Sequence, residues 1–331
     1  MTMKRITAML LAGLLCLSMT ACGGSGDSGS AGGSSADSGS SADAGAENNG
    51  SSYKLALLMS HQTNAFTTAV SAGAVEMGEQ LGVQVDVLDG KQDPATQTSQ
   101  IETCIAQGYD GIMVEPISAD AIVPAVKAAN EAGMPVLTVV QQMKNQDSMA
   151  IAYCGGDESK SGQLQMEHVI DVIGEEANIV VLYGPMGSDA QLSRKAGYDE
   201  VLANYPGIQI VFEDTANWTT EEALSKVETW LQTGTKIDAV VSQNDSMALG
   251  ALKAVEDAGM DIPCFGLDAV DDALASIKAG RLTGTVSQDA HGQGAMAVEV
   301  MTAYLNGETI APLNFTECVW IDGSNIADYV S

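Results

Sequence analysis

From Tyr53 onward, short apolar runs alternate with longer amphipathic runs, and this alternation restricts the fold more than any other feature of the sequence. Residues 54–60 and 111–115 are apolar and have the length of strands, whereas residues 64–81 and 119–132 have the spacing of helices. Strands that are joined by helices form parallel sheets with helices on both faces. The sequence therefore predicts an α/β protein.

About ten strands are predicted, one of them over residues 149–153, and this is more than one compact sheet usually carries. We therefore expect two lobes, each with its own parallel sheet. Four glycines follow helical patterns and are expected to end helices in the left-handed conformation: Gly82, Gly133, Gly259 and Gly280. In open parallel sheets ligands bind beyond the carboxyl ends of the strands, so the loops from strand to helix hold the candidate site residues.

The first residues have the pattern of an export signal. Lys4 and Arg5 precede an apolar run over residues 6–19, and small residues follow up to Cys22. Residues 19–22 resemble the bacterial lipobox, in which the cysteine is lipidated; an ordinary secretory signal that happens to contain Cys22 is the alternative. We expect residues 1–21 to be a signal peptide and residues 22–52 to be a lipidated cysteine with a disordered Gly/Ser-rich linker. The protein would then be an exported lipoprotein facing outward from a cell membrane, on a Gram-positive surface rather than in a periplasm.

The charge balance excludes one class of partner. The chain has 14 Lys and Arg against 43 Asp and Glu, a formal net charge of −29. Nucleic acids and anionic lipid surfaces attract clusters of Lys and Arg, so neither is an expected partner. Contact with a membrane is expected only through the lipid anchor.

Motifs of enzymes and metal sites are missing from the sequence. There is no GxxxxGK[ST], HExxH or GxSxG motif and no cluster of Cys and His, so no catalytic residue, metal or cofactor is predicted. The cysteines of the folded part, at positions 104, 154, 264 and 318, permit two disulfides in three pairings. Buried free thiols are favoured, because Cys154 and Cys264 lie in apolar, strand-like runs.

Five motifs, in order along the chain, carry a resemblance to a known family. Residues 243–252 (QNDSMALGAL) closely match the signature N-D-x-M-A-L-G-A, residues 266–268 resemble G-F-D, and residues 281–288 resemble G-x-L-x-A-T-V-x-Q. Upstream, Ser60 with residues 64–66 resembles S-x-x-x-N-P-F, and residues 110–116 resemble D-x-I-I-x-x-P. Over residues 53–306 the sequence thus resembles periplasmic sugar-binding proteins of the ribose-binding type.

The resemblance implies the type I periplasmic binding protein fold, in which two Rossmann-like lobes with parallel sheets are joined by three hinge strands and close on a ligand. The N-terminal lobe would contain residues 53–156 plus 289–317, and the C-terminal lobe residues 157–288 plus 318–331. It also implies ligand contacts from one or the other lobe or from the hinge: Ser60, Asn64, Phe66, Arg194, Trp218, Asn244, Asp268 and Gln288.

Those residue types suit a sugar on chemical grounds as well. A hydroxyl both donates and accepts, so a site needs an acceptor such as Asp268, a donor such as Arg194, and amides that do both. Phe66 and Trp218 are able to cover the apolar faces of a sugar ring. The alternatives are that Arg194 is a solvated helix charge, that Trp218 is a core aromatic and that Phe66 only packs against its own helix. Asp245 is expected to cap a helix rather than to contact a ligand, and His61 to lie in the cleft incidentally.

One departure from the family pattern leaves the ligand open. After the strand near residue 138, sugar binders usually present Asp-Arg, and here Val140 and Gln141 occupy those positions. Glu115, where an amide is common, is expected either to compensate or to face solvent. Gln141 and Glu115 are therefore included as candidate ligand contacts, and a pentose, a hexose or a polyol all remain open.

The expected function is that of a monomeric, lipid-anchored binding protein. It would capture a small polyhydroxylated ligand by hinge closure and deliver it to an ABC permease and its ATPase. The alternative is a lipoprotein that reports a sugar-like ligand to a membrane sensor kinase. An exported enzyme is disfavoured, because no set of nucleophile and base is found.

Overall fold

The computed structural model of the chain describes residues 53–330. The predicted signal peptide, Cys22 and the predicted linker therefore lie outside the described residues. Within the described part, no helix is both long enough and apolar enough to cross a bilayer.

The described residues form twelve strands and ten α-helices, with one short 3₁₀-helix at Ile326–Asp328. The first half contains β1 (Lys54–Met59), α1 (Ala65–Leu81), β2 (Gln84–Asp89), α2 (Pro94–Gln107), β3 (Gly111–Val114), α3 (Val123–Glu131), β4 (Val136–Val139), α4 (Gln146–Met149), β5 (Tyr153–Gly155), α5 (Glu158–Ile173) and β6 (Ala177–Tyr183). The second half contains α6 (Asp189–Leu202), β7 (Ile208–Thr215), α7 (Thr220–Leu231), β8 (Ala239–Ser242), α8 (Asp245–Asp257), β9 (Cys264–Phe265), α9 (Asp271–Lys278), β10 (Gly284–Ser287), α10 (Ala290–Leu305), β11 (Leu313–Phe315) and β12 (Val319–Asp322).

The strands form two six-stranded sheets, one in each lobe. The first lobe has the order β11-β5-β4-β3-β1-β2, and all of its pairs are parallel. The second lobe has the order β12-β10-β9-β8-β6-β7, and only β12 is antiparallel to its neighbour. The central strand order is the same in both lobes and is that of doubly wound α/β folds. The predicted fold of two parallel-sheet lobes is confirmed.

Both faces of each sheet are covered, which explains the continuous apolar runs in the sequence. In β1, Leu55, Leu57 and Met59 belong to one buried cluster, while Ala56 and Leu58 belong to another on the opposite face. All five side chains are fully buried. A strand that is buried on both faces reads as an unbroken apolar run rather than an alternating one.

The chain passes between the lobes three times, after β5, after β10 and after β11. These crossings are joined by hydrogen bonds near Gln288. Thr316 Oγ1 donates to Gln288 O at 2.7 Å, and Gln288 Nε2 donates to Ser161 Oγ at 2.9 Å. The three-segment hinge that the resemblance implied is therefore present.

The predicted strand over residues 149–153 is wrong. Helix α4 ends at Met149, and the strand begins only at Tyr153. The side chain of Gln146 holds this turn, because its Oε1 accepts from Thr138 Oγ1 at 2.9 Å and its Nε2 donates to Ala152 O at 3.2 Å. A short apolar run does not by itself distinguish a helix end from a strand.

Two strands were not predicted, and both lie at sheet edges. In β11, Leu313 and Phe315 are exposed, and in β12 the end residues Val319 and Asp322 are only partly buried. Short edge strands of this kind have the mixed polarity of loops. The four predicted helix-ending glycines are confirmed, since all have positive φ: Gly82, Gly133, Gly259 and Gly280.

The cysteines of the described part are free thiols. Cys104, Cys154 and Cys264 are buried, and Cys318 is partly buried. Burial raises the pKa of the Cys104 thiol to about 11 and that of Cys154 to about 12. The predicted free thiols are confirmed, and they act as small apolar residues.

Candidate functional site

Loops from both lobes line a cavity between them. From the first lobe it is lined by His61, Asn64, Phe66, Thr67, Glu115, Val140 and Gln141, and from the second by Ala190, Arg194, Trp218, Asn244 and Asp268. Eight of the ten predicted ligand contacts are among these residues. Ser60 lies instead in a neighbouring hollow that shares His61, Gln141 and Trp218 with the cavity.

Within residues 53–330, Arg194 is the only Lys or Arg side chain that lines this cavity. It lies on α6 and is 3% exposed, so the alternative of a solvated helix charge is wrong. Its Nε donates to Glu158 Oε2 at 2.6 Å, its Nη1 donates to Gln243 O, and its Nη2 donates to Gln288 Oε1 at 3.2 Å. Burial opposes the charge, but Glu158 and Asp268 outweigh burial, and the pKa of Arg194 rises above its ordinary value.

Gln288 lies behind Arg194 rather than on the cavity wall. Its Nε2 also donates to Glu158 Oε2 at 2.9 Å, so the hinge amide bridges both members of the buried ion pair. The arrangement holds the guanidinium in one orientation. Neither Glu158 nor Gln243 was predicted as part of the site, because each acts on Arg194 from outside the cavity.

Asp268 follows β9 and is 8% exposed, in a backbone conformation with φ of 131°. Burial raises its pKa well above the ordinary value, and the neighbouring Asp245 carboxyl raises it further, while Arg194 lowers it. Burial likewise raises the pKa of Asp245. A carboxyl group in this setting is stabilised by any ligand hydroxyl that donates a hydrogen bond to it.

The expectation that Asp245 caps α8 is wrong, because Asn244 is the cap. Asn244 Oδ1 accepts from Met247 N at 2.9 Å, and Asn244 also lines the cavity. Asp245 is fully buried, and it accepts from Val270 N at 3.0 Å and from Thr285 Oγ1 at 2.7 Å. Asp245 therefore ties the loop that carries Asp268 to α8 and β10.

Trp218 forms one side of the cavity and also packs against the core of the second lobe. The Arg194 Cζ atom lies 5.5 Å from the centroid of its ring. The ring also lies against Gly184, where a Cβ atom would be 2.0 Å from Trp218 Cζ2. Only glycine fits at position 184 while the indole keeps this place. Trp218 itself has a φ of 63°, in the left-handed region.

In the first lobe, the start of α1 supplies two of the lining residues. Asn64 Oδ1 caps the helix by accepting from Thr67 N at 2.9 Å, which leaves the amide nitrogen of Asn64 for other partners. Phe66 is 6% exposed and belongs to the core of the first lobe as well as to the cavity wall. Packing and cavity lining are therefore combined in one side chain.

Glu115 and His61 complete this wall, and both are buried, at 3% and 4% exposure. Glu115 Oε2 accepts from Ser60 N at 2.8 Å, and its Oε1 accepts from Gln141 Nε2 at 3.3 Å. The alternative that Glu115 faces solvent is wrong. His61 Nδ1 lies 2.9 Å from Ser60 Oγ, so Ser60 orients the imidazole. His61 was regarded as incidental, although its position between Ser60 and Asn64 in the same loop would have indicated the cavity.

Val140 occupies the first position of the replaced Asp-Arg pair and has a φ of 63°. This conformation is strained for a β-branched residue.

A hydrogen bond joins the two lobes across the cleft near this position, where Gln142 N donates to Asp189 Oδ2 at 3.0 Å. Burial raises the pKa of Asp189. Asp189 was not among the predicted site residues, because its partner Gln142 lies 47 positions earlier in the sequence.

A hinged pair of doubly wound lobes that closes a polar cavity between them is the structure of a type I ligand-binding protein. The chain belongs to the periplasmic binding protein domain family, whose match covers residues 55–309. The family predicted from the sequence, the ribose-binding type of ABC importers, is confirmed by the match and by the relatives.

One relative is a xylitol-binding protein of Mycolicibacterium smegmatis, which is 32% identical over 309 residues, 93% of this chain and 82% of the relative. The ribose import binding protein RbsB of Bacillus subtilis is 32% identical over 265 residues, 79% of this chain and 85% of the relative. A solute-binding protein of an ABC transporter from Bacillus halodurans, with bound myo-inositol, has a TM-score of 0.80 and 32% identity, covering 84% of this chain and 96% of that one. These relatives are binding proteins and not enzymes, as expected for this chain.

Proposed function

We propose that the protein is a lipid-anchored substrate-binding protein that captures a sugar or polyol between its lobes and delivers it to an ABC importer. The observation that carries this proposal is a cavity between the lobes with donors, acceptors and an aromatic wall drawn from both of them. The relatives support it, because two of them are named for binding xylitol and importing ribose, and a third has bound myo-inositol.

Each wall has groups suited to hydroxyls. Asp268 and Glu115 accept hydrogen bonds, and Arg194 retains N–H groups beyond the three that its protein partners use. Asn64 offers its amide nitrogen. Hydrogen bonds to charged groups contribute about 1.5–3 kcal/mol each. Trp218 and Phe66 would lie against the apolar parts of the ligand.

Ligand capture would proceed by a shift of population toward the closed form. A ligand favours the closed form only through contacts that it makes there and not in the open form, and a cavity built from both lobes supplies such contacts. The moving units would be residues 53–156 plus 289–317 and residues 157–288 plus 318–331. A micromolar dissociation constant corresponds to about −8 kcal/mol.

The proposed location and partners follow from the first residues and from the family. Residues 1–21 would direct export, Cys22 would carry the lipid, and the permease and its ATPase would receive ligand from a monomeric binding protein. Reporting to a sensor kinase is the second candidate function. Loss of ligand uptake after gene deletion supports import, whereas loss of a transcriptional response with unchanged uptake supports sensing.

The ligand class is tested by thermal unfolding of the purified protein with pentoses, hexoses, polyols and nucleosides. A ligand present at 100 times its dissociation constant adds about 2.7 kcal/mol to the free energy of unfolding. At least one sugar or polyol is expected to raise the melting temperature, and small-angle scattering should then show compaction. If no sugar or polyol binds, the proposal is wrong.

The proposed lipid anchor is tested by Cys22→Ser, which should abolish incorporation of labelled fatty acid. Incorporation that persists in this variant would contradict lipidation of Cys22.

A further inference from the structure

The first-lobe wall of the cavity contains a buried carboxylate that has no cationic partner. Both oxygens of Glu115 accept from N–H groups, of Ser60 and of Gln141. No lysine, arginine or histidine within residues 53–330 forms an ion pair with Glu115. A buried charge is normally paired, so this carboxylate is a place where a ligand cation would be stabilised.

A second acceptor lies beside the first. Because a carboxylate only accepts, Glu115 fixes the amide of Gln141 with its nitrogen toward the carboxylate. Gln141 Oε1 is then left buried, and no group within the described residues hydrogen-bonds to it. Both residues line the cavity. The pair therefore presents one carboxylate and one unsatisfied amide oxygen, and both require donors.

The opposite wall does not supply the missing positive charge. The guanidinium of Arg194 is already paired with Glu158, at 2.6 Å from Nε to Oε2. Asp268 adds a further buried carboxyl group to that wall. In the part of the chain that the structure describes, Arg194 is the one Lys or Arg side chain that lines the cavity. Glu115 and Asp268 also line it, and Glu158 lies directly behind it. Two carboxyl groups, of Glu115 and Asp268, thus face one guanidinium among the described residues that line the cavity.

We infer that the ligand carries a protonated amine, as an amino sugar or amino polyol does, and that its ammonium group lies between Glu115 and Gln141. A hydroxyl donates one hydrogen bond, whereas an ammonium donates three and also supplies the charge that Glu115 lacks. The inference rests on the proposed function, since the remaining hydroxyls would use Arg194, Asp268 and Asn64.

The test compares matched ligands by calorimetry with the purified protein. Each set has a neutral member, its amine and the N-acetyl form of that amine, for example glucose, glucosamine and N-acetylglucosamine, or ribitol with its 1-amino-1-deoxy and N-acetyl forms. In at least one set the amine is expected to bind about tenfold or more tightly than both uncharged members. The N-acetyl form keeps the nitrogen and removes the charge, so it separates charge from shape.

Two variants locate the amine. Glu115→Gln should abolish the preference for the amine, while Glu102→Gln, on the exposed face of α2, should leave it unchanged. Gln141→Arg places a fixed cation beside Glu115 and should reverse the preference toward the neutral member. The melting curve of Glu115→Gln shows whether this variant folds. If it does not, the inference is judged from Gln141→Arg and from the ligand sets measured with the unchanged protein.

The outcomes separate this inference from the proposed function. If neutral members bind as tightly as their amines or more tightly, the inference is wrong and the proposed function stands. If no neutral or amino member binds at all, both are wrong. An amine preference that survives in both variants overturns the assignment to Glu115 and Gln141.

Discussion

Replacing Arg194 by methionine is expected to destabilise the protein far more than an ordinary loss of charge. The substitution keeps much of the side-chain volume and removes the guanidinium that binds Glu158, Gln243 and Gln288. Glu158 is 5% exposed, and no group within residues 53–330 hydrogen-bonds to its Oε1 even with Arg194 present. Arg194→Met therefore leaves a buried, unpaired carboxylate at the start of α5.

The size of the effect follows from that unpaired charge. Removing one partner of a buried ion pair costs about 3–5 kcal/mol. Since domains are stable by about 5–15 kcal/mol, this is a large share of the total. For a protein of this size, the loss corresponds to a fall in melting temperature of roughly 10 °C. The double variant Glu158→Gln with Arg194→Met removes both charges, and it should be less destabilised than the sum of the single variants by about 2 kcal/mol.

Urea denaturation of the wild type, both single variants and the double variant measures these differences. Lys253→Met is the matched control, because Lys253 forms an exposed ion pair with Asp257 at 2.7 Å that is expected to contribute less than about 1 kcal/mol. The reasoning is refuted if the free energy of unfolding of Arg194→Met lies within about 1 kcal/mol of the wild type, or if the effects of the two substitutions are additive. In either case the buried ion pair does not stabilise this wall of the cavity.

Three further predictions concern ligand binding and pH. Asp189→Ala removes the hydrogen bond to Gln142 N across the cleft, so ligand affinity should fall about fivefold by calorimetry, and an unchanged affinity would contradict a role in closure. Trp218→Phe should abolish the ligand-induced change in tryptophan fluorescence, because the other two tryptophans lie outside the cavity; a change that persists would place the ligand elsewhere. Burial raises the pKa of Asp245 from 3.8 to about 6, so the stability due to its protonated form is present below about pH 4 and is lost as the pH rises through 6. Asp245→Asn should therefore reduce the loss of unfolding free energy between pH 4.5 and 7.5, by roughly 2 kcal/mol in urea titrations, and equal losses in both proteins would refute the shift.

The two lobes and the loops that line the cavity could be predicted from the sequence, because they follow local rules. Strands buried on both faces read as apolar runs, and side chains that follow such strands lie at one edge of a sheet. These rules predicted that Asn244 and Asp268 lie in loops that follow strands, and the resemblance to sugar-binding proteins marked both as ligand contacts. The resemblance to sugar-binding proteins then supplied Arg194, which lies within the first two turns of a helix and has no local signal of its own.

The residues that hold the cavity-lining side chains in place could not be predicted, because their partners lie far away in the sequence. Glu158 pairs with a residue 36 positions later, and Gln142 bonds to one 47 positions later. A glutamate in a first helical turn is ordinarily a solvated charge that favours the helix dipole, so its pattern indicated nothing more. Asp245 was assigned to the wrong role for the same reason, since its partners Val270 and Thr285 lie in later loops and strands.

Three of the nine non-glycine residues with positive φ within residues 53–330 line the cavity, and the contacts that hold them show which parts of the fold support the site. Val140, Trp218 and Asp268 all have positive φ, each comes within three residues of the end of a strand, and all three line the cavity. Such conformations cost about 1–3 kcal/mol each and persist only where neighbours hold them. For Val140 the neighbours are in β5: its N–H donates to Cys154 O at 2.9 Å, and its carbonyl accepts from Tyr153 Oη at 2.9 Å. The same hydroxyl lies 2.9 Å from the carbonyl of Gly156, at the first crossing between the lobes. The strained residue of the ligand wall and the hinge are therefore held by one buried tyrosine, so the geometry that recognises a ligand depends on the segment about which the lobes are joined.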